Sequence, residues 1–243
     1  MARDNEATSP TELGHLVTYC QNASIDCLRS LRELVTPEPE RHVRLPQVAA
    51  YPLIRAVIES SSQAIWMMMP EEGVERVARA SRARWSEVVS EYELSQIMNR
   101  DEPEDNAERL KANARALQRA GSVRKAWGRD LREICHRAGL DRDIYLRGLP
   151  SWRSLIEEVA PEAELPARYV RAIWQMISGL SHPSSVRGVA FSKMREQEGS
   201  TDELRKVFMS ADPQTVAGSL AVAAALFREA EGLYRRRSLT PAG

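Results

Sequence analysis

Apolar side chains return every three or four residues through almost the whole of this chain, and almost nowhere do they alternate. After Glu12 the series Leu13, Leu16, Val17, Cys20, Ser24, Cys27, Leu28, Leu31 and Leu34 lies on one side of a helix turning 100° per residue. The same spacing recurs in Ile54, Val57, Ile58, Ser61, Ile65 and Met68. No run of β-branched residues alternates as a half-buried strand would, and Lys206 to Met209 offers at most a short edge piece. A set of helices with one apolar stripe each can bury those stripes only against one another. The prediction is therefore an all-α fold, a single multi-helix bundle.

Punctuation marks the helix ends. Ser9-Pro10-Thr11-Glu12 reads as an N-cap, a proline at the first helical position and a capping-box glutamate, which leaves residues 1–10 as a polar tail. TPEPERH breaks the first helix. A second is expected from Pro46 to Met69, bent at Pro52, and a third from Glu72 to Met98. The acidic loop NRDEPEDN follows, then helical pattern over 107–120 and 123–138 and an irregular GLDRDIYLRGLPSW. A short helix is expected at Trp152–Val159. The last begins with Asp212 as cap and Pro213 inside it and runs to about Arg236. Its small residues, from Ala217 to Ala225, would let neighbouring helices approach closely. One domain over 11–237 and a tail at 238–243 complete the expected organisation.

Lys+Arg and Asp+Glu both number 34, so no net field draws in nucleic acid or an anionic membrane. The three cysteines, Cys20, Cys27 and Cys135, form no C-x-x-C pair. No apolar leader opens the chain, and the run Val216 to Phe227 is too short to span a bilayer. These features lead us to expect a reduced, cytoplasmic setting and no membrane partner. Phosphate-cradling glycine loops, H-E-x-x-H and G-x-S-x-G are all missing from the sequence, and neither a metal nor a cofactor is expected.

One segment gathers polar chemistry. In RYVRAIWQMISGLSHPSSVRG, the side chains of Arg171, Gln175, Ser178 and His182 align opposite Tyr169, Ile173, Met176, Ile177 and Leu180. Trp174 and Ser181 flank the polar stripe. His182 precedes Pro183, which disfavours helical geometry at the histidine, and a helix C-terminus favours its charged form. Arg187 follows within the next turn. The bland alternative is a solvated helix face. A second constellation is Arg55 and Glu59, four residues apart on an apolar helix: either a plain intrahelical ion pair or a half-buried pair bonding across a helix interface to the His182 region. Arg129 and His136 fit an R-x6-H spacing, common by chance in an arginine-rich chain.

YPLIRAVIESSSQAIWMM and IWQMISGLSHPSS together resemble all-α bacterial and phage proteins of the HEPN-like superfamily (higher eukaryotes and prokaryotes nucleotide-binding). Their R-x-x-x-E helix corresponds to Arg55 and Glu59, and their Ser-x-x-Ser-His-Pro turn to Ser178, Ser181, His182 and Pro183. The resemblance implies a HEPN-like bundle acting as a non-catalytic binding or assembly module. The alternative it carries is metal-independent RNA cleavage, with His182 as acid or base, Arg55, Arg171 or Arg187 holding phosphate charge and Glu59 in the same pocket. Catalytic members use an R-x4-6-H motif, whereas Arg171 and His182 are eleven residues apart. A nucleic-acid-binding regulator is the third reading. The expected partner is a second copy, as a homodimer, with a protein or RNA as a further partner.

Overall fold

A computed structural model describes residues 1–36, 43, 45–99, 107–182, 185–198 and 206–239. Among them the helices are α1 (Ala2–Thr8), α2 (Leu13–Val35), α3 (Ala50–Met68), α4 (Gly73–Met98), α5 (Ala107–Arg137), α6 (Trp152–Val159), α7 (Ala167–Leu180), α8 (Ser185–Ala190) and α9 (Pro213–Leu239). Strands β1 (Ser192–Glu196) and β2 (Val207–Ala211) form one antiparallel hairpin, with Ser192 opposite Ala211 and Glu196 opposite Val207. The protein is an all-α multi-helix fold with this small sheet appended. Most of TPEPERH, the acidic loop from Arg100 to Asn106, Pro183 and the tail from residue 240 lie outside the described residues.

The chain divides into two compact units, each built from separated stretches: Met1–Leu16, Met67–Pro150 and Arg237–Gly243 in one, Val17–Trp66 and Ser151–Arg236 in the other. Periodicity predicts one domain over 11–237; it tells which side of a helix is buried, not which neighbour buries it.

In the first unit Val77, Leu131, Ile134, Cys135 and Tyr145 form a buried cluster, with Trp85 and Trp127 packed against it. Trp85 meets Tyr145 edge to face, ring centres 5.1 Å apart. Helices α4 and α5 pair as a hairpin. Beyond Val88 on α4, and before Leu131 on α5, no described side chain is fully buried. Helix α5 runs unbroken through Gly121, where two segments were expected; a lone glycine costs about 1 kcal/mol against alanine without stopping a helix.

The expected polar tail contains helix α1. Asp4, 5% exposed, is gripped by Arg76 through contacts of 2.8 and 3.2 Å, and Arg76 also donates to the carbonyls of Pro70 and Glu71. A buried carboxylate is tolerable only with such a partner. The expected cap at Ser9 is replaced as well. Thr8 Oγ1 accepts from the amide of Leu13 at 2.9 Å, Asn5 Oδ1 accepts from Gly14 at 2.7 Å, and Glu12 has a left-handed φ of 51°.

In the second unit the buried residues include Ile54, Val57, Ile58, Ile65 and Trp66 of α3, Leu155 and Ile156 of α6, Val170 and Ile177 of α7, and Val222 and Leu226 of α9. Helix α3 starts at Ala50 rather than Pro46, so Pro52 sits in its first turn, where the missing N–H has no helical acceptor to lose and no bend is needed. Ser24 and Ser61 share a hydrogen bond of 3.2 Å between α2 and α3. Helix α9 begins where its sequence predicts: Asp212 Oδ2 accepts from the Thr215 amide and hydroxyl, each at 2.9 Å. Ser219, Ala223 and Ala230 lie on its buried side, and Gly218 lies close to the Tyr169 hydroxyl, 3.9 Å from where a Cβ would stand.

Candidate functional site

All the candidate site residues lie in the second unit, and the structure sorts them into two groups. The first joins α3, α6 and α7. Arg55 Nε donates to Glu59 Oε1 at 2.7 Å, one helical turn along α3. The same oxygen accepts from Trp174 Nε1 of α7 at 2.9 Å. The Arg55 guanidinium also lies 5.9 Å from the Trp174 ring centre, within reach of its π face. With the Arg55 and Glu59 side chains only 29% and 18% exposed, this pair is half-buried and bonds across a helix interface. Arg171, one turn before Trp174, turns to α6 instead and binds Glu157 at 2.7 Å.

These contacts have a chemical consequence. The bonded oxygen of Glu59 already receives two donors, one of them charged, which holds the side chain in a fixed position. Arg55 and Arg171 each spend charge on a carboxylate of the same unit. Such an arrangement locks helices together; it does not present a free base or an open cation to a phosphate.

The second group surrounds His182. The histidine is exposed just past the end of α7 and borders a cavity of about 340 Å3 lined by Gln47, Val48, Leu180, Ser185, Gly188, Val189 and Met209. Gln47 Nε2 donates to Met209 Sδ at 3.7 Å across it. Neither Arg55, Glu59, Arg171, Gln175 nor Ser178 is among the lining residues, and among the described residues the cavity wall holds no carboxylate or guanidinium. Ser181 donates back to the Ile177 carbonyl at 2.8 Å, a common use of a hydroxyl at a helix end. Ser178 is half-buried, and its hydroxyl meets no hydrogen-bond partner among the described residues; Gln175 faces solvent. Arg187 of α8 lies over Gly179, where any Cβ would overlap the guanidinium. The Arg-Gln-Ser-His stripe is thus split between a salt bridge, solvent, a half-buried hydroxyl and a shallow cavity.

No known family, curated protein or solved structure matches this chain.

Two features of the second unit went beyond the sequence signals. Glu157 is an unremarkable member of an amphipathic helix until α7 brings Arg171 to it. The hairpin borders a larger open groove of about 1010 Å3, lined by residues including Leu34, Leu45, Lys193, Arg195, Phe208 and Pro213. Phe208 is 57% exposed and Met194 50%. The hint for it was the short apolar stretch at Lys206 to Met209. Elsewhere, His136 is exposed and within 3.0 Å of Arg142, while Arg129 faces solvent. Among the described residues no group of three or more His, Cys, Asp or Glu is placed to hold a metal, and no helix is long and apolar enough to cross a membrane. Cys20 and Cys135 are buried; burial pushes the Cys135 thiol up, and thiols of that kind are unreactive.

Proposed function

We propose that this protein is a HEPN-like helical binding and assembly module without catalytic activity, working as a cytoplasmic homodimer. One observation carries the reading: Glu59 is engaged by Arg55 and Trp174, while His182 borders a separate cavity with no charged neighbour in its wall among the described residues. Metal-independent RNA cleavage requires an acid, a base and a cation around one phosphate within hydrogen-bond reach. Here the cations and the histidine serve different places. The docking surface in this reading is the His182 cavity, whose lining residues Val48 and Val189 are 42% and 49% exposed, together with Val186 of α8, 80% exposed.

The test combines two measurements on the full chain. Purified protein, incubated in chelator with a panel of single-stranded and structured RNAs, leaves them intact, and His182→Ala changes nothing. Sedimentation velocity gives twice the chain mass, and Val186→Asp with Val189→Asp returns the monomer. RNA cleavage that disappears in His182→Ala overturns the non-catalytic reading, and a monomer at every concentration overturns the homodimer.

A further inference from the structure

The charge balance of the whole chain conceals a strongly asymmetric helix in the first unit. From Arg109 to Arg129, twenty-one consecutive residues of α5 contain seven basic side chains and no carboxylate. Two of the seven are occupied. Arg124 lies over the Tyr92 ring at 4.4 Å, on the side facing α4, and Arg109 has a partner of its own. The other five, Lys111, Arg115, Arg119, Lys125 and Arg129, are exposed, and none has a described ion-pair partner.

Their placement is ordered. With 3.6 residues per turn, the five fall within a sector of about 120°. Leu117, Gly128 and Leu131, on the opposite side, face the hairpin partner and the core. At 1.5 Å per residue the row is about 27 Å long and straight, since no proline or other break interrupts α5. Steps of four residues separate Lys111 from Arg115, Arg115 from Arg119 and Lys125 from Arg129, about 6 Å each. Gln118 and Ser122, both exposed, lie between them. Carboxylates stand only at the ends: Glu108 before the row, Asp130 and Glu133 after it.

We infer that the outer face of α5 binds the phosphate backbone of a nucleic-acid duplex. A rigid row of flexible cations with no carboxylate among them matches a rigid polyanion, which carries one charge per about 1.7 Å of axis. The row holds no Asn and a single Gln, so the contacts are to phosphates and carry no sequence preference. Lipid headgroups are disfavoured because no exposed apolar stripe runs beside the cations to insert between acyl chains. The inference uses only the first unit and stands or falls independently of the proposed module.

Five phosphate contacts predict a slope of log K against log salt of about −4.5, or roughly a 500-fold loss of affinity between 50 and 200 mM NaCl. The experiment is fluorescence anisotropy of a labelled 20-base-pair DNA duplex of arbitrary sequence, titrated with the full chain across that range. In the variant Arg115→Gln/Arg119→Gln/Lys125→Gln the slope falls to about −1.8, and the loss over the same range to roughly 12-fold. Arg115→Lys/Arg119→Lys retains the wild-type slope, and circular dichroism stays unchanged in every variant because these side chains are exposed. A scrambled duplex binds equally well. The inference is overturned if the wild type fails to bind the duplex at 50 mM NaCl, if the triple glutamine variant keeps the wild-type slope, or if the wild type binds phosphatidylserine vesicles but no duplex.

Discussion

Replacing Glu59 by alanine tests whether its network is structural. Two hydrogen bonds end at Glu59 Oε1, from Arg55 Nε at 2.7 Å and Trp174 Nε1 at 2.9 Å. A hydrogen bond to a charged group contributes about 1.5–3 kcal/mol when buried, and an exposed i,i+4 ion pair about 0.3–0.5 kcal/mol. Arg55 is 29% exposed and Glu59 18%, so solvent screens the ion pair and places it near the lower figure. The Trp174 bond dominates, because without Glu59 the indole N–H at the α3–α7 contact has no described acceptor. The sum is about 2 kcal/mol for Glu59→Ala. For a chain of this length each 1 kcal/mol moves the melting temperature by about 2–4 °C, giving a fall of about 4–8 °C. Differential scanning fluorimetry reads the shift, and urea titration at constant m-value gives the free energy. The decisive measurement is the double-mutant cycle with Trp174→Phe, for which a coupling of about 1 kcal/mol is expected. A melting temperature within 1 °C of wild type, or additivity of the two substitutions, refutes the network as a helix clamp.

Four other substitutions probe the rest of the fold. Asp4→Ala leaves Arg76 without its buried counter-charge and lowers stability by about 3 kcal/mol in chemical denaturation, whereas Arg29→Ala, at an exposed pair with Asp26, costs under about 1 kcal/mol. Gly148→Ala meets both a φ of 60° and Ser86 Oγ at 2.8 Å from the new Cβ, on the loop where Ser86 receives the Leu149 amide; a loss of about 2–3 kcal/mol is expected by the same assay. At Asp212, the hydrogen bonds from Thr215 and then Lys193 hold the carboxyl below its ordinary range. A folded pKa below the unfolded one means a stabilisation present above the unfolded value and lost as pH falls through the folded one. Wild type should therefore exceed Asp212→Ala in melting temperature at pH 7, with the gap closing below about pH 4.

What could be read from the sequence was local. Asp212 and Pro213 mark the start of α9 because a cap and a proline act within one turn, and the same kind of short-range signal marks α6. The apolar periods of α3 and α7 point to the sides these helices bury. Long-range partners were hidden. Asp4 meets Arg76 across 72 residues of sequence, so α1 looks like a polar tail until that pair is seen. Glu59 meets Trp174 across 115 residues, and one indole decides whether the Arg55–Glu59 pair is a surface ornament or a helix clamp. The separation of His182 from that pair has the same origin: a helical wheel places residues around one axis and is silent on what stands opposite at each height.

Composition misleads for a related reason. Equal numbers of acids and bases cancel only for a ligand far enough away to feel the sum. At physiological salt the field of an exposed charge decays over about 8 Å, a fraction of the 27 Å row on α5, so carboxylates elsewhere do little to cancel the row for a phosphate in contact with it. The neutral total still governs long-range encounter. A duplex binding at α5 should therefore associate without strong steering, at about 10⁵–10⁷ M⁻¹s⁻¹, and the salt dependence of its affinity should lie mainly in dissociation. Stopped-flow anisotropy at two salt concentrations separates these rates. An on-rate that falls as steeply with salt as the affinity would mean the protein is felt at long range as a cation, and that the local accounting for α5 is incorrect.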